Sequence, residues 1–502
     1  MTNRPITIVI AGGGSAGWMT AAAFARFLSR GFVIRLVESE EIGTVGVGEA
    51  TIPQIRVFNQ ALGLDEDQFI RETQATFKLA IEFVGWSRPD SRYMHAFGDL
   101  GRDSGLLPFH QTWLRGRREG VAKDLAHYSL NNMAALGDRM QRGPARTAQM
   151  LPEMPYAFHF DAGLYAAFLR RFAEGRGVER TEGKIAGVDR SENGDVSALR
   201  LADGRRIEGD LFIDCTGFRA LLIEGEMRSG FEDWSRWLPC DRALAVPSAR
   251  ATAFTPYTRA TAHAAGWQWR IPLQHRTGNG IVYSSRHLSD EDATSTLLAN
   301  LDTPPLAEPR PLRFIAGKRR AMWSGNVIAV GLASGFLEPL ESTSIHLIQT
   351  AIQRILKLLP GRGGIAATRA EYNRQSDFEY ERIRDFLILH YHANDRDEPF
   401  WRERREIDLP DTLSAKLALW RENAQIIREH EELFTEVGWA QVLAGQGVVP
   451  IANHPVADQP ARGEISEYLT LMEQLIAREV AQMSDHEAFV RRHCAAAERH
   501  AA

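Results

Sequence analysis

The chain has 502 residues, 44% of them hydrophobic and 25% charged, the balance of a globular protein with a large core. Its net charge of −5 offers no basic excess to neutralise phosphates, which argues against a nucleic-acid partner. Three widely spaced cysteines, Cys215, Cys240 and Cys494, form neither a disulfide framework nor a metal-ligand spacing; no metal is expected, and a reducing cytoplasm is the expected compartment.

Ile6 to Ala25 carries no charge and imitates a signal peptide or a membrane span. Gly12, Gly13, Gly14 and Gly17 break it in the middle, so a strand, a glycine turn and a helix explain it better, and no membrane association is expected. ITIVIAG reads as a short buried strand, WMTAAAFARFLSR as a helix ending at Gly31, and FVIRLVES as a second buried strand. Strand, helix, strand opens a parallel sheet with a right-handed crossover. GGGSAG places Gly-x-Gly-x-x-Gly at Gly12, Gly14 and Gly17 around Ser15 and Ala16, between strand and helix. The first glycine allows the turn, the second lets a pyrophosphate approach the backbone, and the third lets helix and strand pack closely. The helix start adds amide donors and a positive dipole end. Glu38 closes the second strand about 20 residues on, where a ribose-binding acid is expected. That acid suits NAD or FAD. GVGEATIP, residues 46 to 53, carries Gly48, Glu49 and Ala50 and can wrap a bulky cofactor. GDLFIDCTGF, residues 209 to 218, resembles the late strand that returns to the cofactor in FAD-containing hydroxylases. Both favour FAD, and no second fingerprint for NADPH follows.

FKLAIEF alternates, with Phe77, Leu79, Ile81 and Phe83 on one face and Lys78, Ala80 and Glu82 on the other. MHAFG contributes His95 and Phe97. WQWRIPL and NGIVYSS read as antiparallel strands around Gln274 to Asn279, with Trp267 and Trp269 on one face and Ile271 and Pro272 beyond them. GNVIAVG is a buried strand that ends at Gly331. FLEPLEST then brings Leu337, Glu341, Ser342 and Thr343 to the start of a long apolar helix, with Ser344 at its mouth. From about residue 380 the chain turns helical and more polar. LSAKLALWRENAQIIREH and EISEYLTLMEQLIAREVAQM have helical spacing, and Ser484 with Glu487 suggests a capping box for the last helix. The expected class is α/β: an FAD-binding, Rossmann-like body of the hydroxylase type with mixed sheets. That body, including an inserted antiparallel substrate sheet, spans 1–380. A mainly helical substrate cap spans 381–502.

GGGSAGW, GVGEATIP, WQWRIP and GLASGFLEPLEST together resemble the flavin-dependent tryptophan halogenase family over residues 7 to about 360, and Trp267 to Pro272 match its WxWxIP signature. The resemblance implies an FADH2-dependent halogenase fed by a separate NAD(P)H-dependent flavin reductase. FADH2, O2 and chloride or bromide give hypohalous acid, which travels through a tunnel to an electron-rich aromatic in a separate pocket. Cofactor contacts then fall on Gly12, Gly14, Ser15, Ala16, Gly17, Glu38, Gly48, Glu49, Ala50, Gly331 and Leu337. Lys78 polarises the hypohalous acid or forms a haloamine with it. Glu341 orients these groups and accepts the ring proton. Thr343 and Ser344 hold the halide. Trp267, Trp269, Ile271 and Pro272 lie by the tunnel, and His95 and Phe97 sandwich the substrate ring. A homodimer fits the family. Ser344 stands where tryptophan-specific members usually have glycine, and His346 where they have an aromatic; free indole or another indole-bearing or phenolic compound is therefore as well indicated as tryptophan.

Other readings accompany these. Lys78 suits a solvated strand face. Glu341 suits a first-turn acid offsetting the helix dipole, worth ~0.3–1 kcal/mol. Ser342 or Thr343 suits a helix N-cap, and the tryptophans and His346 suit core positions. For the whole chain the alternatives are a single-component FAD aromatic monooxygenase and a non-catalytic flavin-binding module. Those hydroxylases carry an aspartate after the glycine of the strand that reads VIAVG here, where this chain continues with Leu332 and Ala333.

Overall fold

The computed structural model describes residues 4–41, 48–147, 151–359 and 365–497. Gly46 and Val47, which open GVGEATIP, lie outside them. The chain groups into two compact units, each assembled from three segments. The first comprises residues 1–75, 160–239 and 313–380, and the second 76–159, 240–312 and 381–502. The antiparallel sheet, expected as an insertion in the body, therefore groups with the C-terminal helices. Its cause is pairing over long sequence distance: residues 80–84 of one segment pair with 257–261 of another. The division at 380 falls inside one helix, Ala366–His392.

The first unit has a six-stranded sheet in the order Trp323–Ser324, Val327–Ala329, Leu211–Asp214, Ile6–Ala11, Phe32–Glu38, Glu179–Glu182. Its central pairings are parallel. Ile8, Val9, Ile10 and Ala11 are fully buried, because both faces of a parallel sheet are covered. The helix after the glycine turn spans Ser15–Phe27 and stops short of Gly31. Gly31 turns at φ +77°, and its carbonyl accepts from the Ile6 amide, a bond that opens the pairing of Ile6–Ala11 with Phe32–Glu38.

The second unit has a seven-stranded sheet in the order Arg310–Arg313, Arg242–Ala249, Arg276–Tyr283, Gly266–Pro272, Tyr257–His263, Ala80–Val84, Arg92–Ala96. The Trp267 strand pairs antiparallel with Arg276–Tyr283, as expected. FKLAIEF is not one half-exposed strand. Thr76–Lys78 and Ala80–Val84 are separate strands that break at Leu79, and residues 77–83 are buried on both faces. Glu82, on the face expected to be polar, is buried between Arg92 (2.9 Å) and Arg259 (2.6 Å).

Two helix limits differ from the sequence reading. Asp411–Asn423 does not run on through Ile427, because Ala424 turns left-handed at φ +53°. The His110 and Gln111 side chains take the Ala424 carbonyl at 2.9 and 2.7 Å and hold that turn. The last helix, His486–His493, is capped by Asp485, whose carboxylate accepts from the Ala488 amide at 3.0 Å. Ser484 lies instead in a two-residue strand paired with Met140. Asp485→Ala is expected to cost about 1 kcal/mol in urea denaturation and Ser484→Ala less than about half of that.

Candidate active site

The glycine turn is dictated by contact. A Cβ on Gly12 (φ +107°) would lie 2.3 Å from the Cys215 carbonyl oxygen, and one on Gly17 1.9 Å from the Gly12 oxygen. A Cβ on Gly14 meets nothing within 4 Å. The helix that begins at Ser15 has no side-chain cap, so its first amides front the open space at Gly14. Close packing at two glycines, room at the third and uncapped amides fit the pyrophosphate of a dinucleotide such as FAD. Cys215 is held in place by Asp214, a fully buried carboxylate that accepts from Thr216, Leu222 and Ile223 amides.

Glu38 stands at the end of its strand as expected. It accepts from the Trp18 indole at 3.2 Å and from Arg180 at 2.5 Å, an arginine the sequence pattern did not flag. Gly331 (φ +71°) packs against Ala16, where a Cβ would come within 2.9 Å. Leu337 is buried. Gly48, Glu49 and Ala50 form a short strand. Glu49 keeps some accessible surface, yet its carboxyl is enclosed by protein atoms, and that desolvation pushes it up to about 7.

Glu341 ends a 3₁₀ turn, Pro339–Glu341, and is 2% exposed. Ser342 follows in the left-handed region (φ +59°), a conformation costly for a residue with a side chain. Thr343 occupies the N-cap position of the helix Ser344–Lys357, but its side chain makes no cap. Its hydroxyl is buried with no hydrogen-bond partner among the described residues. The helix mouth thus has amides that the Thr343 side chain does not cap and an uncommitted hydroxyl, the chemistry of an anion site. His346, one turn in, lies 3.2 Å from Glu379, which also binds Arg354 and Thr350 at 2.9 Å each.

Lys78 is fully buried, so the solvated-strand reading fails. Its ammonium sits 5.3 Å from the centre of the Phe97 ring. The strand that carries it is clamped by buried polar side chains. The Thr76 hydroxyl bonds His159 Nδ1 (3.0 Å) and the Pro272 carbonyl (2.7 Å), and His159 Nε2 bonds Thr258 (2.9 Å). The Phe77 amide donates to His486 Nε2 at 3.2 Å. Trp267 and Trp269 are buried with ring centres 6.1 Å apart, and Ile271 and Pro272 are buried beside them in sequence. His95 lies 5.6 Å from Phe386 and 6.3 Å from Phe434; those two phenylalanines stack at 3.7 Å, with Trp439 edge-on at 4.9 Å. Lys78, Phe97, His95 and the tryptophans belong to the second unit, and Glu341, Thr343, Ser344 and the dinucleotide cradle to the first.

A tryptophan halogenase family model matches residues 7–462. The chain belongs to the tryptophan halogenase family. The enzyme is 34% identical to the tryptophan 7-halogenase RebH of Lentzea aerocolonigenes over 491 residues, 91% of this chain and 92% of RebH. Among solved structures, a flavin-dependent halogenase from Xanthomonas campestris shares 49% identity at a TM-score of 0.96 and covers 99% of this chain and 100% of its own. BrvH, a flavin-dependent halogenase from Brevundimonas sp. BAL3, shares 45% at 0.93, over 98% and 99%. This halogenase is FADH2-dependent, and a route through hypohalous acid is general to its family. Among the described residues no helix is long and apolar enough to cross a membrane.

Sequence reading missed His159, His486, Arg180 and the Phe386–Phe434–Trp439 cluster. A lone histidine or phenylalanine carries no local pattern, and only long-range contacts give these residues their place.

Gly14→Ala is expected to leave the melting temperature of the FAD-free enzyme within about 2 °C while FAD affinity falls at least about tenfold. Gly17→Ala is expected to destabilise the FAD-free enzyme itself by about 1–3 kcal/mol. Burial lowers the His486 pKa to about 4, so the neutral ring is favoured by folding. Its contribution is complete above the unfolded value near 6.5 and is lost as pH falls through about 4. The stability gap between wild type and His486→Gln is therefore expected to narrow by about 3 kcal/mol from pH 7 to pH 4 in urea denaturation.

Proposed function

We propose that this halogenase puts chlorine or bromine on an indole-type or other electron-rich aromatic, with Lys78 and Glu341 as the catalytic residues. The fully buried ammonium of Lys78 beside the Phe97 ring carries the reading. An ammonium removed from water is costly, and nothing in strand packing calls for one.

Gly12, Gly14, Ser15, Ala16, Gly17, Glu38, Gly48, Glu49, Ala50, Gly331 and Leu337 hold the cofactor. Bound as FADH2, it supplies the electrons with which O2 oxidises the halide. Thr343 and Ser344 hold the halide at the uncapped helix mouth. A Gly to Ser difference at 344 leaves backbone amides in use, since helical angles suit serine. Trp267, Trp269, Ile271 and Pro272 wall the passage of the acid and keep the organic substrate from the flavin. Lys78 then donates a hydrogen bond to the oxygen of hypohalous acid, or takes the halogen as a haloamine; either way the halogen stays electrophilic. Glu341 accepts the proton that the ring loses. His95 and Phe97 position the ring by its faces, which asks nothing of its polar substituents.

RebH is named for tryptophan, and the indole ring is the part of that substrate that reacts. Ser344 and His346 mark a divergence at the helix mouth, and the aromatic cluster of Phe386, Phe434 and Trp439 by His95 favours a compact arene over an amino acid. A separate NAD(P)H-dependent reductase supplies FADH2 in a reducing cytoplasm, and a second copy of the chain completes a homodimer.

With chemically reduced FAD, oxygen, bromide and indole, mass spectrometry is expected to show a bromoindole, at a kcat/KM at least about tenfold above that for free tryptophan. Glu341→Gln is expected to slow product formation at least about tenfold with FAD affinity within about threefold. A collapse of FAD affinity would instead make Glu341 a cofactor or structural residue.

A further inference from the structure

The strand that carries Lys78 leaves its neighbour at one defined peptide. From Ala80 onward it pairs in parallel with the strand that begins at Tyr257. One residue before, the Leu79 amide still donates directly to the Pro256 carbonyl at 2.7 Å. Beyond that bond residues 254–256 are not strand, and the ladder does not continue. An imidazole links the two chain segments there. Phe77 N–H donates to His486 Nε2 (3.2 Å), and His486 Nδ1 lies 3.0 Å from the Phe254 oxygen. A carbonyl only accepts and an amide only donates, so the ring is neutral with its proton on Nδ1.

The ring is rigidly mounted. His486 is fully buried, with its ring edge-on to Phe77 and Phe254 at 6.0 and 5.2 Å. Its own amide donates to the Asp138 carbonyl at 2.8 Å. Lys78 sits between the bridged peptide at Phe77 and the directly bonded one at Leu79. On its other side the strand pairs antiparallel with Ala157–His159, so the ring and that ladder together fix the backbone from which the ammonium projects.

We propose that His486 is a positioning residue for Lys78, its ring bridging the Phe77 amide and the Phe254 carbonyl. It lies beyond residues 7–462 that the family model matches. The proposal rests on the reading of Lys78 as catalytic. Without the ring, the Phe77 amide and the Phe254 carbonyl lose their link, and Lys78 shifts with the Phe77 peptide. Oxidant is still made but is no longer spent on substrate.

Three variants test this against Lys78→Ala. His486→Leu removes both bonds. His486→Gln keeps an acceptor and a donor on one planar group. His486→Asn is too short to meet both partners. Two quantities are read: hydrogen exchange across residues 76–79 in the FAD-free enzyme, and halogenated product per FADH2 consumed. His486→Leu is expected to speed exchange at the Phe77 amide about tenfold or more and to lower product per FADH2 about tenfold, with FADH2 oxidation within about twofold. His486→Gln is expected to restore both to within about threefold, with His486→Asn between. If His486→Leu does not fold, the Gln–Asn difference decides. Wild-type coupling in His486→Leu or His486→Asn, or equal loss in the glutamine and asparagine variants, overturns the proposal. Halogenation by Lys78→Ala would overturn the Lys78 reading instead, and the two failures are thereby told apart.

Discussion

A lysine ammonium withdrawn from water governs the architecture of the second unit. Lys78 is fully buried on a three-residue strand, against the Phe97 ring. The desolvation penalty of such a charge is several kcal/mol, so the surrounding backbone has to be held firmly for the side chain to stay in place. The side chains of Thr76, His159 and His486 and the Pro272 carbonyl contribute to that hold. The strand also pairs antiparallel with Ala157–His159 along its whole length. Two buried histidines add to this: His159 links the Thr76 and Thr258 hydroxyls, and His486 links the Phe77 amide to the Phe254 carbonyl.

The first unit is built around a glycine turn. Its parallel sheet brings Gly12 against the Cys215 carbonyl, and its helices begin without side-chain caps at Gly14 and Thr343. Uncapped helix starts are a loss in a merely structural element, since each end leaves amides unsatisfied. The helices that begin at Ser15, Gln54 and Ser344 all start so; the first lies at the glycine turn and the last directly behind Glu341. The left-handed Ser342 between Glu341 and that last helix is the local cost of presenting the carboxylate there. The first unit thus presents uncapped helix starts at the glycine turn and behind Glu341, and the second a buried amine against an aromatic ring.

Local pattern made much of this legible. The glycine fingerprint, the buried parallel strands, Glu38 and the Trp267–Pro272 strand follow from period and spacing, because each is decided within a few residues. FKLAIEF misleads by the same logic: its alternation marks two faces, but both are covered, and the apparent polar face holds Lys78 and a Glu82 bound by two arginines. Ser484 as a cap fails because Asp485 lies one residue closer to the helix and reaches the Ala488 amide. Ala424 ends its helix through a carbonyl held by His110 and Gln111, more than 300 residues away along the chain. His486 is the extreme case, joined to Phe77 by a bond across 409 residues, a relation no window on the sequence contains.

The central claim is that oxidant made by this halogenase is spent at Lys78 without passing through bulk water. Its most direct test is a partition experiment with reduced FAD, bromide, indole and rising concentrations of a thiol scavenger. The account predicts that wild-type product is insensitive to the scavenger, whereas Lys78→Ala forms no product and delivers its oxidant equivalents to the thiol. Wild-type product that falls with thiol concentration as free hypobromous acid would, or product from Lys78→Ala at the wild-type rate, would contradict it.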